Sequence, residues 1–126
     1  MKKMFLLFSH KLTEIQREDA INTLNIKEFI SLPENLQNYW SNVDPINYDN
    51  EKFQEIMNYV KQESNAGDYA LIQGEWGFVY NAVNICKEIE IVPLYSTTER
   101  EVKEIHNSDG SVEKISIFKH IIYKKY

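Results

Sequence analysis

Three short apolar runs, at residues 4–8, 69–72 and 91–95, each stop abruptly at a polar segment, and they constrain this chain more than any other feature. An alternating run would leave one face to water, whereas an unbroken one is buried on both faces, as in a parallel sheet. Between the runs lie stretches of helical periodicity. The clearest puts Phe53, Ile56, Met57 and Val60 at the i, i+3, i+4, i+7 positions of one stripe. Strands alternating with such helices predict a parallel sheet with helices on both faces.

Local signals fill in the order. Thr13 and Gln16 have capping-box spacing and open a helix to about Leu24. Residues 28–32 read as a second strand, and Pro33 then starts a short helical turn carrying Leu36, Tyr39 and Trp40. Gly67 is placed to close the next helix in the left-handed conformation. A broad apolar arc predicts a helix over 75–89. Residues 96–100 read as a polar loop, after which two antiparallel strands, 101–106 and 112–123, join across a turn at 107–110. The predicted fold is α/β, a Rossmann-like open sheet with parallel core strands, helices on both faces and a C-terminal antiparallel hairpin. At 126 residues the chain reads as a single domain, residues 1–126.

Composition narrows the function classes. A net charge of −5 argues against duplex nucleic acid or an anionic membrane as partner, because such affinity needs many Lys and Arg against phosphates. It leaves room for a small anion in a local basic pocket. Cys86 is the single cysteine and sits within an apolar helical pattern, so it reads as a buried structural thiol. The N-terminal run is too short for a signal peptide, and no segment approaches the roughly 20 apolar residues of a membrane span. A cytoplasmic, prokaryotic setting is expected.

Right-handed crossovers carry the loops after strands one, three and four to one edge of the sheet, where open α/β folds bind ligands. Ser9, His10 and Lys11 there combine a hydroxyl, an imidazole and a cation ahead of a helix N-terminus, which suits a phosphate; an ordinary polar loop is the alternative. Gln73 and Gly74, followed by Glu75 and Trp76, offer a close-approach glycine, backbone N–H groups for a second phosphate, and an indole that either stacks on a base or packs in a core or dimer contact. Thr97, Thr98 and Arg100 supply hydroxyls and a guanidinium, with a salt bridge from Arg100 to Glu99 or Glu101 as the plainer reading. His120 is either functional or a half-buried strand residue, and His106 is simply exposed near the turn.

Neither G-x-G-x-x-G nor G-x-x-x-x-G-K-[ST] occurs, so no nucleotide cofactor is expected. Three histidines on separate elements, without ligand spacing, point to metal-free chemistry. Ser9 beside His10 lacks a nucleophile-elbow context, and no acid is evident to orient the ring, so a Ser-His-Asp arrangement is not expected.

The segments Phe8 to His10, Gln73 to Gly77, Thr97 to Arg100 and Phe118 to His120, taken in order and spacing, resemble a family of small CRISPR-associated accessory proteins of the Csx type. The resemblance covers essentially the whole chain. It implies a CARF-related homodimer acting in type III CRISPR immunity as a ring nuclease on cyclic tetra-adenylate. Metal-free ring opening requires the ribose 2′-hydroxyl to attack the neighbouring phosphate, giving a 2′,3′-cyclic phosphate. Chemistry assigns proton transfer to His10 or His120, hydrogen bonds to the phosphate to Ser9 and Thr98, and charge neutralisation to Arg100 or Lys11. A protein that only binds the ring, or an adaptor presenting the hairpin and Trp76 to another protein, are the alternatives.

Overall fold

The first apolar run becomes β1 (Lys2–Leu7) in the computed structural model, which describes residues 2–126. Its side chains divide between two cores. Phe5 and Leu7 pack with α2 (Glu34–Ser41), α3 (Asn50–Glu63) and α4 (Trp76–Glu88), while Met4 and Leu6, with Phe8 just beyond the strand, face a smaller core beneath α1 (Glu14–Leu24). A strand covered on both sides has no position left for a polar side chain, which accounts for the unbroken pattern.

Completing the sheet are β2 (Ile26–Ser31), β3 (Tyr69–Ile72), β4 (Val92–His106) and β5 (Val112–Lys125). The strand order is β2-β1-β3-β4-β5; the first four strands are parallel and β5 returns antiparallel to β4. The fold is mixed α/β, with the sheet curled toward a half-barrel. From β1 the chain crosses by α1 to β2 on one face, then returns by α2 and α3 on the other face to β3, on the opposite side of β1. Connections therefore diverge between β1 and β3 and leave a crevice at the C-terminal ends of those strands.

Several local expectations hold. Thr13 and Gln16 form the reciprocal capping box of α1. Trp40 is buried in the larger core and Cys86 is fully enclosed. Burial pushes the Cys86 thiol up to about 12. No helix among the described residues is long and apolar enough to cross a membrane.

Two expectations need correction. Residues 96–100 are not a loop: β4 runs on without a break, paired to β5 from Leu94 opposite Lys125 to His106 opposite Val112, with a bulge between Ser96 and Thr98. Hydroxyl and charged side chains there decorate a hydrogen-bonded ladder whose faces meet solvent, and polarity alone does not separate that from a loop. Gly67 does take a positive φ of 89°, but α3 already ends at Glu63. The glycine belongs to the turn entering β3, where the Asp68 N–H donates to the Asn65 carbonyl at 3.0 Å.

Candidate functional site

The start of α1, with Thr13, Ile15 and Gln16, and four other parts of the chain converge on a cleft of about 450 Å³ at the crevice. The segment after β1 brings Ser9, His10 and Lys11; the one after β3 brings Gln73 and Gly74; β4 contributes Ser96 and Thr98 on either side of its bulge; β5 contributes Lys119 and His120. Bulges commonly re-aim side chains beside active sites. Phe8, Ile15 and Phe118 form apolar portions of the wall. Among the described residues two lysines and two histidines line this cleft and no carboxylate does, in a chain of net charge −5.

Beneath the cleft lies a buried polar chain. His120 Nδ1 stands 2.5 Å from Ser96 Oγ, and Nε2 of the same ring stands 2.7 Å from Asp19 Oδ2. Directions follow from Gln16. Its Oε1 accepts from the Thr13 N–H at 2.9 Å, which turns Nε2 to donate to Ser96 Oγ at 3.4 Å. The Ser96 hydroxyl proton then points to Nδ1, and Nε2–H donates to Asp19. Tyr123 covers the imidazole with ring centroids 4.4 Å apart, and its hydroxyl donates to the Gln16 carbonyl at 2.9 Å. Burial and the Asp19 charge raise the Tyr123 phenol well above its ordinary range. Gln73 Oε1 accepts the Ser96 backbone N–H at 3.2 Å and holds the serine from the other side.

The geometry is that of a Ser-His-Asp relay, with the roles of the two ring nitrogens exchanged relative to the familiar protease arrangement. Asp19 can stabilise an imidazolium, His120 can take a proton from Ser96, and Ser96 is the member of the three that lines the cleft together with His120. Both ring nitrogens are engaged, so His120 exchanges protons with a bound ligand through Ser96. The expectation that no Ser-His-Asp arrangement forms is thereby corrected, at His120 rather than at the Ser9 and His10 pair: Asp19 reaches across from α1, 101 residues away in sequence.

Other expected site residues serve the structure or fall outside the cleft. Gly74 lines the cleft, but its lack of a side chain is required by Trp40: a Cβ there would meet the indole Nε1 at 2.8 Å. Glu75 is the N-cap of α4, and its carboxylate already accepts the Gly77 and Phe78 N–H groups at 2.8 and 3.3 Å. A second phosphate at that helix terminus would compete with a carboxylate in place, which argues against the expected backbone cradle. Thr97 sits in the bulge, donating to the Ile122 carbonyl at 2.9 Å and accepting the Ile122 N–H at 3.1 Å. Arg100 is outside the lining; its guanidinium donates to Ser116 Oγ at 3.0 and 3.3 Å rather than pairing with Glu99 or Glu101. Trp76 is 90% exposed and belongs to an adjoining groove. His106 is exposed at the far end of the hairpin, 3.6 Å from Glu104.

Ser96, Asp19, Gln16 and Lys119 are the members of the site to which sequence reasoning assigns no site role. Gln16 carried a usable signal, since a capping-box glutamine at the start of α1 must lie near the ends of the strands. Asp19 lies on the next turn of that helix face. Ser96 was hidden by reading its surroundings as loop.

Residues 2–124 match the family model described as "Uncharacterized protein MJ1673 family". One relative, "Uncharacterized protein MJ1673" of Methanocaldococcus jannaschii, is 43% identical over 127 residues, covering 100% of this chain and 98% of its own length. No solved structure matches. The chain belongs to the MJ1673 family.

Proposed function

We propose that the chain is a ring nuclease of type III CRISPR systems, Rossmann-like and CARF-related in fold, that binds cyclic tetra-adenylate and opens it by attack of a ribose 2′-hydroxyl. The observation that carries the reading is the cleft itself: Lys11 and Lys119 beside His10, with no carboxylate lining it among the described residues, at the C-terminal ends of parallel strands. Such a site attracts a phosphate diester that the rest of this acidic surface repels. Its size suits part of a cyclic oligonucleotide, and a two-fold homodimer would offer the set twice to a two-fold symmetric ring. Exposed apolar residues along the hairpin, Val102, Ile105, Val112 and Ile115 among them, support self-association.

In this mechanism the 2′-hydroxyl gives its proton to Ser96 as the Ser96 proton passes to His120, and Asp19 balances the imidazolium. The freed oxygen bonds to phosphorus, and the electron pair of the breaking P–O5′ bond leaves on O5′, which takes a proton from His10 or Lys11. Ser9 and Thr98 donate to the non-bridging oxygens, while Lys11 and Lys119 hold the added charge. Lys119 replaces Arg100 in the role first expected of the latter. Titration of cyclic tetra-adenylate into the protein, with ring integrity followed on the same samples, tests the proposal. Tight binding with an intact ring leaves a binding-only protein, and absence of binding removes the reading.

A further inference from the structure

A second groove, of about 510 Å³, adjoins the basic cleft and shares Gln73 and Gly74 with it. Its character is different. Trp76 and Tyr80, one turn apart on α4, form one part of the lining, and Tyr95 and Tyr126 form another. Trp76 is 90% and Tyr80 71% exposed, an unusual use of two large aromatic rings on one helix face. Around Tyr126 the groove is braced: its hydroxyl donates to the Ile72 carbonyl at 2.5 Å and its ring lies 4.9 Å from that of Tyr95. Gln73, at the junction, accepts the Ser96 N–H through Oε1, and its amide Nε2 has no hydrogen-bond partner among the described residues.

We infer that this groove is a nucleobase subsite, in which a base lies against Trp76 and Tyr80 and its polar edge takes a hydrogen bond from Gln73 Nε2. The inference rests on the reading that the basic cleft holds a nucleotide phosphate, and it deepens that reading. A nucleotide is an anion joined through a sugar to a flat, largely apolar ring with a polar rim. Those three parts match, in order, the basic cleft, the shared Gln73 and Gly74 boundary, and the aromatic groove. Stacking on an exposed aromatic ring is favourable for any base, and the donor at the boundary adds an edge contact. The groove is open, so the base enters from the side without displacing a helix.

Titrating AMP, ribose 5-phosphate and inorganic phosphate into the full chain by calorimetry, with tryptophan emission followed as well in the wild type and in Tyr80→Ala, tests the inference. Trp40 is only 2% exposed, so ligand-dependent change in solvent-exposed emission reports on Trp76. AMP is expected to bind about tenfold or more tightly than ribose 5-phosphate and to quench that emission. Trp76→Ala and Tyr80→Ala are each expected to remove most of this advantage and leave the affinity for phosphate unchanged. Both residues are exposed, so the variants keep the fold.

Equal affinities for AMP and ribose 5-phosphate would overturn the subsite, and the proposed nuclease reading would survive if cyclic tetra-adenylate is still cleaved. The converse result, a retained AMP advantage with no binding or cleavage of the ring, would sink the nuclease reading and keep the subsite. Trp76 emission that depends on protein concentration without ligand, with self-association lost in Trp76→Ala, would assign the groove to a second copy of the chain and overturn the inference.

Discussion

Ser96 and His120 share a hydrogen bond of 2.5 Å beneath the basic cleft, and the other nitrogen of the same ring is bound to Asp19 at 2.7 Å. An imidazole saturated in this way has no lone pair or N–H left for a ligand. Its chemistry reaches the cleft by way of the serine hydroxyl, which makes Ser96, rather than the more exposed His10, the expected acceptor of the 2′-hydroxyl proton.

His120→Gln and Ser96→Ala are therefore each expected to lower single-turnover cleavage of cyclic tetra-adenylate by roughly 10²- to 10⁴-fold, the usual contribution of a positioned proton acceptor. Ring affinity should change little, because neither residue supplies the charge that holds phosphate. Asp19→Asn keeps a polar partner but not the negative charge, so its loss should be smaller than that of His120→Gln. Equal cleavage by wild type and Ser96→Ala would rule out the relay. Thermal melts guard the comparison, since one orphaned buried partner costs about 1–3 kcal/mol.

The two cleft lysines and Arg100 make a second contrast. Lys11 and Lys119 line the cleft, and the contact of Lys119 with Glu101 at 3.4 Å is an exposed pair that is readily exchanged for a ligand. Substituting either lysine by alanine should weaken ring binding by about tenfold or more, as expected for a lost charged hydrogen bond, and should reduce its salt sensitivity. Arg100→Ala, which removes only the Ser116 contacts, should leave the affinity within about twofold. Calorimetric titration at two salt concentrations separates the cases.

Gly74→Ala probes the packing that sets the β3 end of the cleft. The new methyl would stand 2.8 Å from Trp40 Nε1 and 3.1 Å from the nearest ring carbon. The indole is held by its bond to the Gln73 carbonyl at 3.1 Å and is almost wholly buried, so it has little freedom to retreat. A stability loss of about 1–3 kcal/mol is expected in urea unfolding, with altered near-ultraviolet dichroism from Trp40. An unchanged midpoint would show that the loop relaxes instead.

The cap of α4 carries a pH signature. Burial acts to raise the Glu75 carboxyl, but the Tyr48 hydroxyl and the Gly77 and Phe78 N–H groups outweigh it and hold the group below its usual 4.5. A depressed folded-state value means that the charged cap contributes fully above about 4.5 and fades as the pH falls through the folded value. Glu75→Ala should cost about 0.5–1 kcal/mol at pH 7, at the lower end for a cap because the site is part-exposed. That difference from wild type should shrink as the pH is taken well below 4.5. A pH-independent difference would show that the carboxylate charge is irrelevant.

How legible all this was in the sequence depends on where the information lay. β1 and β3 were plain because burial on both faces forbids polar residues, and α1 announced itself through Thr13 and Gln16. The β4 continuation was not legible: residues 96–100 gain their strand partner from β5, and only the assembled hairpin shows that Thr97 bonds across a bulge to Ile122. The site was half visible. Ser9, His10, Lys11, Gln73 and Thr98 follow from the rule that ligands gather at strand ends, and they line one cleft with His120, which that rule does not reach. Asp19 was invisible because its role depends on a contact 101 residues away, and Glu75 was misread because a carboxylate before a helix serves as a cap as readily as it flanks an anion site.

The most direct test of the proposed function is incubation of stoichiometric protein with cyclic tetra-adenylate in EDTA, resolving the products by mass. Ring-opened oligoadenylate ending in a 2′,3′-cyclic phosphate and a free 5′-hydroxyl is the predicted result, and the reaction should be slowed strongly in His120→Gln. A ring that stays intact after prolonged incubation with wild-type protein would contradict it.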